Sequence, residues 1–278
     1  MKINCARTAF SSLFFGVIVC ALLPLTAFCQ QNVTLGTEDG WQLSALYQPS
    51  SNGVFVLMLH DLGRSKEDFS PFIKKLKDGG YGALAVDLRG HGQSVNLGVQ
   101  TEFQKTGSDN EFNKMVRDVT GSVNFLNKKG ITNDKIFIMG AGLGANVAAK
   151  ALIFNTDIAG VLLLTPSLKM RDVLTMSGIK VFKNPVLVAV SSEDKKLFME
   201  ASFIRNAAFL SSGEGKVTFL TAYNLSGAAM LEQHITPEVL QWLKTPQKPP
   251  VESDFVEIET VPAPSVLTQE QGQEKENL

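Results

Sequence analysis

The chain has 278 residues, 44% apolar and 19% charged, with 26 basic and 27 acidic side chains and a net charge of −1. That is enough apolar material for a sizeable buried core, and the even charge excludes a protein that holds nucleic acid or another polyanion through bulk charge. All three cysteines, Cys5, Cys20 and Cys29, fall in the first 29 residues, which excludes a disulfide framework, a Cys-x-x-Cys site or a cysteine nucleophile in the body.

Residues 1–29 read as an address. Lys2 and Arg7 form a basic start, no charge occurs from Leu13 to Phe28, and Ala27 and Cys29 place small residues at −3 and −1 before Gln30. This is the pattern of a bacterial secretory signal peptide. It predicts export to the periplasm or the medium, with no stable membrane span after cleavage. The apolar run is short for a span and holds Pro24. An uncleaved anchor and acylation at Cys29 are the lesser alternatives, the second opposed by bulky Phe28.

Strand and helix signals then alternate. Residues 33–37 and 41–48 alternate apolar and polar side chains as a hairpin does. Residues 54–60 (VFVLMLH) form a continuous apolar run, the pattern of a strand covered on both faces. A helix is predicted over 69–80, a buried strand over 81–87, and a helix opened by a Ser108–Glu111 capping box and carried by Phe112, Met115, Val116, Val119, Val123 and Phe125. Four more buried strands follow at 135–140, 158–166, 185–192 and 216–223, separated by helical stretches. Thr236 as N-cap and Pro237 at the first helical position open a last helix to about Lys244. The alternation predicts an α/β chain, a three-layer α/β/α sandwich around a mostly parallel sheet of about eight strands. The short segment 167–184 leaves no room for a large lid domain. Residues 30–244 form the body on this reading. Residues 245–278 hold five prolines and seven acids against two bases, which predicts a disordered acidic tail. Within it, FVEIETV (255–261) has the alternation of a strand.

Three segments carry a resemblance. VLMLHDLGRS (56–65) is similar to a strand and oxyanion loop of the HG-x-G type, and AVDLRGHGQS (85–94) to a D-x-R-G-x-G-x-S loop. MGAGLGANVAAK (139–150) stands where a nucleophile elbow G-x-S-x-G belongs. In this order and spacing they resemble the α/β-hydrolase superfamily over about residues 32–244, nearest its dienelactone-hydrolase-like and serine-aminopeptidase-like branch. The resemblance implies the α/β-hydrolase fold and a Ser, acid, His triad.

The triad positions are degenerate. Gly142 stands at the nucleophile position, and its neighbours Gly140, Ala141, Leu143 and Gly144 bring no oxygen or sulfur nucleophile either. A glycine suits the strained backbone of such a turn, so the turn is retained while acyl transfer is lost. Ser226–Gly227 occupies the place of the family's His-Gly. His234 alone among the histidines follows the elbow and is the fallback base. Asp194, after the strand at 185–192, matches the family acid in one register; a one-residue shift puts Lys195 there. His60, Asp61 and Leu62 form the implied oxyanion loop, with the backbone N–H groups of Leu62 and Leu143 as donors. Asp61 stands where glycine is usual, and its carboxylate would repel an oxyanion. Asp87, Arg89 and His91 are expected to support the fold through an Asp87–Arg89 contact or bonds from Arg89 to the backbone.

Other chemistries find less support. Three separated histidines, with no cysteine beyond residue 29, predict no metal site, and no cofactor is implied. G-A-G-L-G-A lacks a third glycine, and Asp157 lies too near for a dinucleotide loop. The leading expectation is therefore a non-catalytic exported protein that binds a small molecule or a protein. The alternative is an esterase or peptidase with a non-standard site, either water activated by His234 with Asp194 or a serine among Ser191, Ser192 and Ser226. A module whose acidic tail is the working part is the third.

Overall fold

The computed structural model describes residues 30–233 and 235–246. Ten strands occur in chain order: β1 (Gln31–Gly36), β2 (Gln42–Gln48), β3 (Phe55–Leu59), β4 (Gly82–Val86), β5 (Ile136–Ala141), β6 (Gly160–Leu164), β7 (Lys169–Met170), β8 (Val173–Leu174), β9 (Val186–Ser191) and β10 (Val217–Ala222). Eight of them make one sheet in the order β1-β2-β4-β3-β5-β6-β9-β10. The β1–β2 and β2–β4 pairs are antiparallel and the rest are parallel. The apolar runs explain this arrangement. Every residue of β3, β4, β5, β6 and β9 is buried, as parallel strands with helices on both faces require. β1, at one edge, alternates and stays largely exposed.

Among the described residues eight helices cover the sheet: α1 (Ser70–Asp78), α2 (Glu111–Lys114), α3 (Val116–Lys128), α4 (Leu143–Ala151), α5 (Met176–Ile179), α6 (Lys195–Ser212), α7 (Met230–Gln233) and α8 (Thr236–Lys244). One face buries Val119, Leu126, Ala145, Ala149, Ile204 and Ala208 of α3, α4 and α6. The other buries Phe72, Ile73 and Leu76 of α1 with Leu231, Val239 and Trp242 of α7 and α8. The result is the three-layer α/β/α sandwich with an eight-stranded, mostly parallel sheet. Between β6 and β9 there is only the small β7–β8 hairpin and one-turn α5, so among the described residues no large lid stands over the sheet.

Three local expectations need correction. Asn110, not Ser108, caps the helix before α3: its side chain accepts from Asn113 N at 2.8 Å. An asparagine directly before Glu111 can reach the free N–H groups of that first turn. The helix is also broken at Met115 into α2 and α3. Ile235 is the N-cap residue of α8, and Thr236 already lies within the helix, its hydroxyl donating to Leu231 O. The signal-peptide, acidic-tail and His234 readings fall outside the described residues. No helix among the described residues is long and apolar enough to cross a membrane.

Candidate functional site

The carboxyl ends of β3, β4, β5, β6, β9 and β10 meet in one region, where sites of open parallel sheets lie. The centre is the turn from β5 into α4. Gly142 has φ 51° and ψ −115° there, a conformation that L side chains rarely adopt. Its N–H donates to Leu164 O at 2.9 Å, and its carbonyl accepts from Ala145 N at 3.0 Å, so β6 and α4 hold the turn from both sides. Gly144 lets α4 lie directly on β3: a Cβ there would fall 2.2 Å from Leu59 O.

The loop after β3 brings a carboxylate onto this turn. Asp61 Oδ1 accepts from Leu62 N at 2.6 Å and from Leu143 N at 2.7 Å. These are the two N–H groups that the resemblance assigns to an oxyanion. The same carboxylate fills the space beside Gly142. A Cβ built on Gly142 would lie 2.0 Å from Asp61 Cγ and Oδ1 and 2.3 Å from Oδ2. A side chain on residue 142 and the Asp61 carboxylate cannot both occupy this position. The expected repulsion of an oxyanion by Asp61 therefore takes a stronger form, since the side chain itself holds both donors. Charge-assisted bonds of this kind are short and roughly twice as strong as neutral ones.

His60 fixes the base of that loop. It is fully buried, its Nε2 accepts from Leu88 N at 3.0 Å, and its Nδ1 lies 2.7 Å from Asp61 O. Because a backbone N–H can only donate, Nε2 is the acceptor and Nδ1 carries the proton. Burial pushes His60 down to about 4, against the opposing effect of the Asp61 carbonyl, so the ring is neutral at pH 7. His91 packs against it with ring centroids 5.0 Å apart, and burial lowers its pKa as well. His60 ties the loops after β3 and β4 together and has no opening toward a substrate.

The loop after β4 is built on buried charge. Asp87 accepts from Lys66 N at 2.8 Å, Lys66 Nζ at 2.7 Å and Gln93 N at 2.9 Å. Arg89 pairs with Asp118 at 2.7 Å, Asp39 at 2.8 Å and Glu111 at 3.0 Å, and lies over the Trp41 ring. The expected Asp87–Arg89 contact is thus replaced by two separate networks. Lys66, twenty-one positions earlier, arrives on the turn before α1 and takes Asp87, which leaves Arg89 for the carboxylates of three other elements. Burial opposes the charge of Asp39, but bonds from Arg89, Thr37 and Arg117 outweigh it and hold its carboxyl well below the usual range.

Asp194 and Ser226, the other positions the resemblance implies for a triad, line open clefts. Asp194 is the N-cap of α6, its Oδ1 accepting from Leu197 N at 2.9 Å. Ser226 is exposed and lines two clefts. One, of about 250 Å³, also has Asp61, Arg64, Asp68, Gly227, Ala228 and Glu232 in its wall. The other has Ser191, Glu193, Asp194 and Lys195. Gly227 N donates to Thr165 Oγ1 at 2.8 Å, which seats this loop against the end of β6. Ser226 thus lies between Asp61 and Asp194, but no serine hydroxyl bonds His60 or His91 among the described residues. Nor do they include a group of three or more His, Cys, Asp or Glu placed to hold a metal ion. Sequence reasoning missed Arg64, whose guanidinium forms a two-bond pair with Asp68 at 2.7 Å; its four-residue spacing was the available signal. It also missed Thr165, held at φ 54°, which no sequence pattern marks.

The fold and this site define a protein of the α/β-hydrolase class. The family model described as "Serine aminopeptidase, S33" matches residues 51–212, and the chain belongs to that family. Among curated proteins it is 28% identical over 117 residues to protein phosphatase methylesterase 1 of Schizosaccharomyces pombe, covering 41% of this chain and 31% of that protein. The protein of the same name from Candida albicans is 26% identical over 147 residues, covering 52% and 38%. The chain thus matches less than half the length of these relatives. Among solved structures, an esterase of Pyrococcus furiosus superposes with a TM-score of 0.62 at 20% identity, covering 78% of this chain and 92% of that one. An esterase of Exiguobacterium antarcticum gives 0.60 at 15%, covering 77% and 100%. At these identities the structural likeness is one of fold.

Proposed function

We propose that this is an exported α/β-hydrolase-fold protein that does not transfer acyl groups and uses the cleft above Asp61 to bind a small molecule or a protein segment. The observation that carries the reading is the Asp61 carboxylate, which accepts from both Leu62 N and Leu143 N. Acyl transfer needs a nucleophile, and it needs those donors free to stabilise the charge that develops on the carbonyl oxygen. Gly142 lacks the first, and Asp61 takes the second. Ser226, in the family's histidine place, supplies no base. The cleft walls are acidic: Asp61, Asp68 and Glu232 face one cation, Arg64, which is tied to Asp68. Asp61 Oδ1 is used by the backbone, so the ligand class that fits is one presenting a positive charge or a hydrogen-bond donor toward Oδ2. Export rests on residues 1–29, and residues 30–278 are the exported chain on this reading.

The family membership favours the second reading, an active hydrolase whose base is His234. Hydrolysis of p-nitrophenyl acetate and butyrate by residues 30–278, beside the His234→Ala variant, separates the two. The expected result is no turnover above buffer from either folded protein. Turnover that disappears in His234→Ala overturns the non-catalytic reading.

A further inference from the structure

Three connections meet at the foot of the sheet, away from the Asp61 cleft. The end of α4 leads into β6, the segment after α5 into β9, and the end of α6 into β10. β6, β9 and β10 are neighbouring parallel strands, so all three connections lie at the amino ends of the strands. Close packing and side-chain bonds hold them together. A Cβ on Gly178 of α5 would fall 1.7 Å from Ala149 O of α4. Ser211 Oγ of α6 donates to Ile179 O at 2.7 Å and Ser212 Oγ to Phe182 O at 3.0 Å, while Lys183 Nζ donates to Ser211 O at 2.9 Å.

The outer surface here is apolar. Phe154 after α4 is 67% exposed, Val181 after α5 46%, and Phe203 and Leu210 of α6 53% and 90%. A helix covering a sheet normally turns charged side chains outward, as α1 does with exposed Lys74, Lys75, Lys77 and Asp78. α6 turns out Phe203 and Leu210 instead. The charge of the region has one sign. Residues 151–156, 176–184 and 201–213 contain Lys180, Lys183 and Arg205 and no acid. None of these three cations is ion-paired among the described residues. Asp157, the acid after Phe154, points elsewhere: it accepts from Asn133 at 3.0 Å and lines a cleft with Leu243, on the α8 side of the sheet.

We propose that this face seats the protein on an anionic lipid bilayer. Phe154, Val181 and Leu210 enter the headgroup region, and Lys180, Lys183 and Arg205 meet the lipid phosphates. Buried apolar area and attraction to anionic lipid together set the strength of such interfacial binding. Leu210 and Phe154 stand out from the surface, which suits insertion between headgroups, whereas a protein segment is held in a groove. The single sign of charge opposes pairing of two copies through this face and favours an anionic partner. The Asp61 cleft lies at the carboxyl ends of the strands, so a protein seated by its foot turns that cleft toward water.

Sedimentation of residues 30–278 with lipid vesicles tests this. Binding to vesicles of equal parts phosphatidylglycerol and phosphatidylcholine is expected to be about ten-fold or more tighter than to phosphatidylcholine alone, and to weaken as salt rises. Phe154→Ser with Leu210→Ser, both at exposed positions, is expected to lower that binding about ten-fold or more without moving the urea midpoint. Lys180→Gln alone is expected to lower it about five-fold, and Lys74→Gln on α1 to leave it unchanged. Equal binding by the parent and the double serine variant overturns the proposal, as does no binding to the anionic vesicles. A dimer by size-exclusion chromatography that the serine variant dissolves also overturns it, because a second copy then covers the face.

Discussion

The loops after β3 and β4 touch at His60, whose ring bonds the backbone of both, and they use their carboxylates differently. After β4, Asp87 and its neighbours face inward and bind Lys66, Gln93 and the backbone, while Arg89 gathers Asp39, Glu111 and Asp118. After β3, Asp61 faces the turn at Gly142 and takes up two N–H groups at its mouth. The first loop keeps the scaffold of the fold. The second keeps the shape of a reaction centre and fills it with the chain's own carboxylate. The difference teaches that supporting the elbow and occupying the N–H groups at its mouth rest on separate residues.

If that separation holds, the largest effects on stability lie in the β4 loop. Arg89→Ala leaves the buried Asp118 carboxylate without its cation and is expected to cost about 3–5 kcal/mol, read by urea unfolding. A loss below about 1 kcal/mol would place Arg89 on the surface, not in the scaffold. Next comes the pH response of His60, whose folded value of about 4 lies below the ordinary histidine value. Its contribution is complete above the unfolded value of about 6.5 and is lost as pH falls toward 4, by roughly 3 kcal/mol in all. The expected observation is a His60 imidazole that stays neutral by NMR down to about pH 5; protonation near the ordinary value would show that the two loops open there.

At the elbow, Gly142→Ser forces a side chain into left-handed backbone, at about 1–3 kcal/mol, and drives it into Asp61. Asp61→Gly in the same chain relieves the overlap, so the double variant should be more stable than the sum of the single losses predicts. Strict additivity in thermal or urea unfolding would mean that the two residues do not share the position. The smallest effect belongs to Asp194. As an N-cap of α6, its replacement by Ala is expected to cost about 1 kcal/mol and to leave ligand binding in the Asp61 cleft unchanged. A change in binding without loss of stability would move Asp194 from capping to the site.

Much of this was legible in the sequence. The apolar runs located six of the eight strands of the main sheet, because strands buried on both faces admit few polar residues, and the alternation of apolar and polar side chains located β1 and β2. Gly142 and Ser226 were readable as the residues standing where the resemblance implies a nucleophile and a base. The Asp61 contacts were beyond reach, because residues 61 and 143 are brought together only by the parallel pairing of β3 and β5. The Asp87 partner was misread for a similar reason. Sequence proximity favoured Arg89, whereas the turn before α1 delivers Lys66. The cap before α2 shifted by two residues because Ser108 and Asn110 compete for one helix end, and the α8 cap fell one residue earlier, on apolar Ile235, because the Thr236 hydroxyl bonds Leu231 O instead.

The central claim is that Asp61 holds the N–H groups of Leu62 and Leu143. Through-hydrogen-bond scalar couplings, measured by NMR on isotope-labelled residues 30–278, test it directly. The account predicts that both amide nitrogens show a coupling to the Asp61 carboxylate carbon, and that both couplings vanish in Asp61→Gly. Amides of Leu62 and Leu143 that show no coupling to Asp61 in the unmodified chain would contradict it, and would return those donors to a substrate.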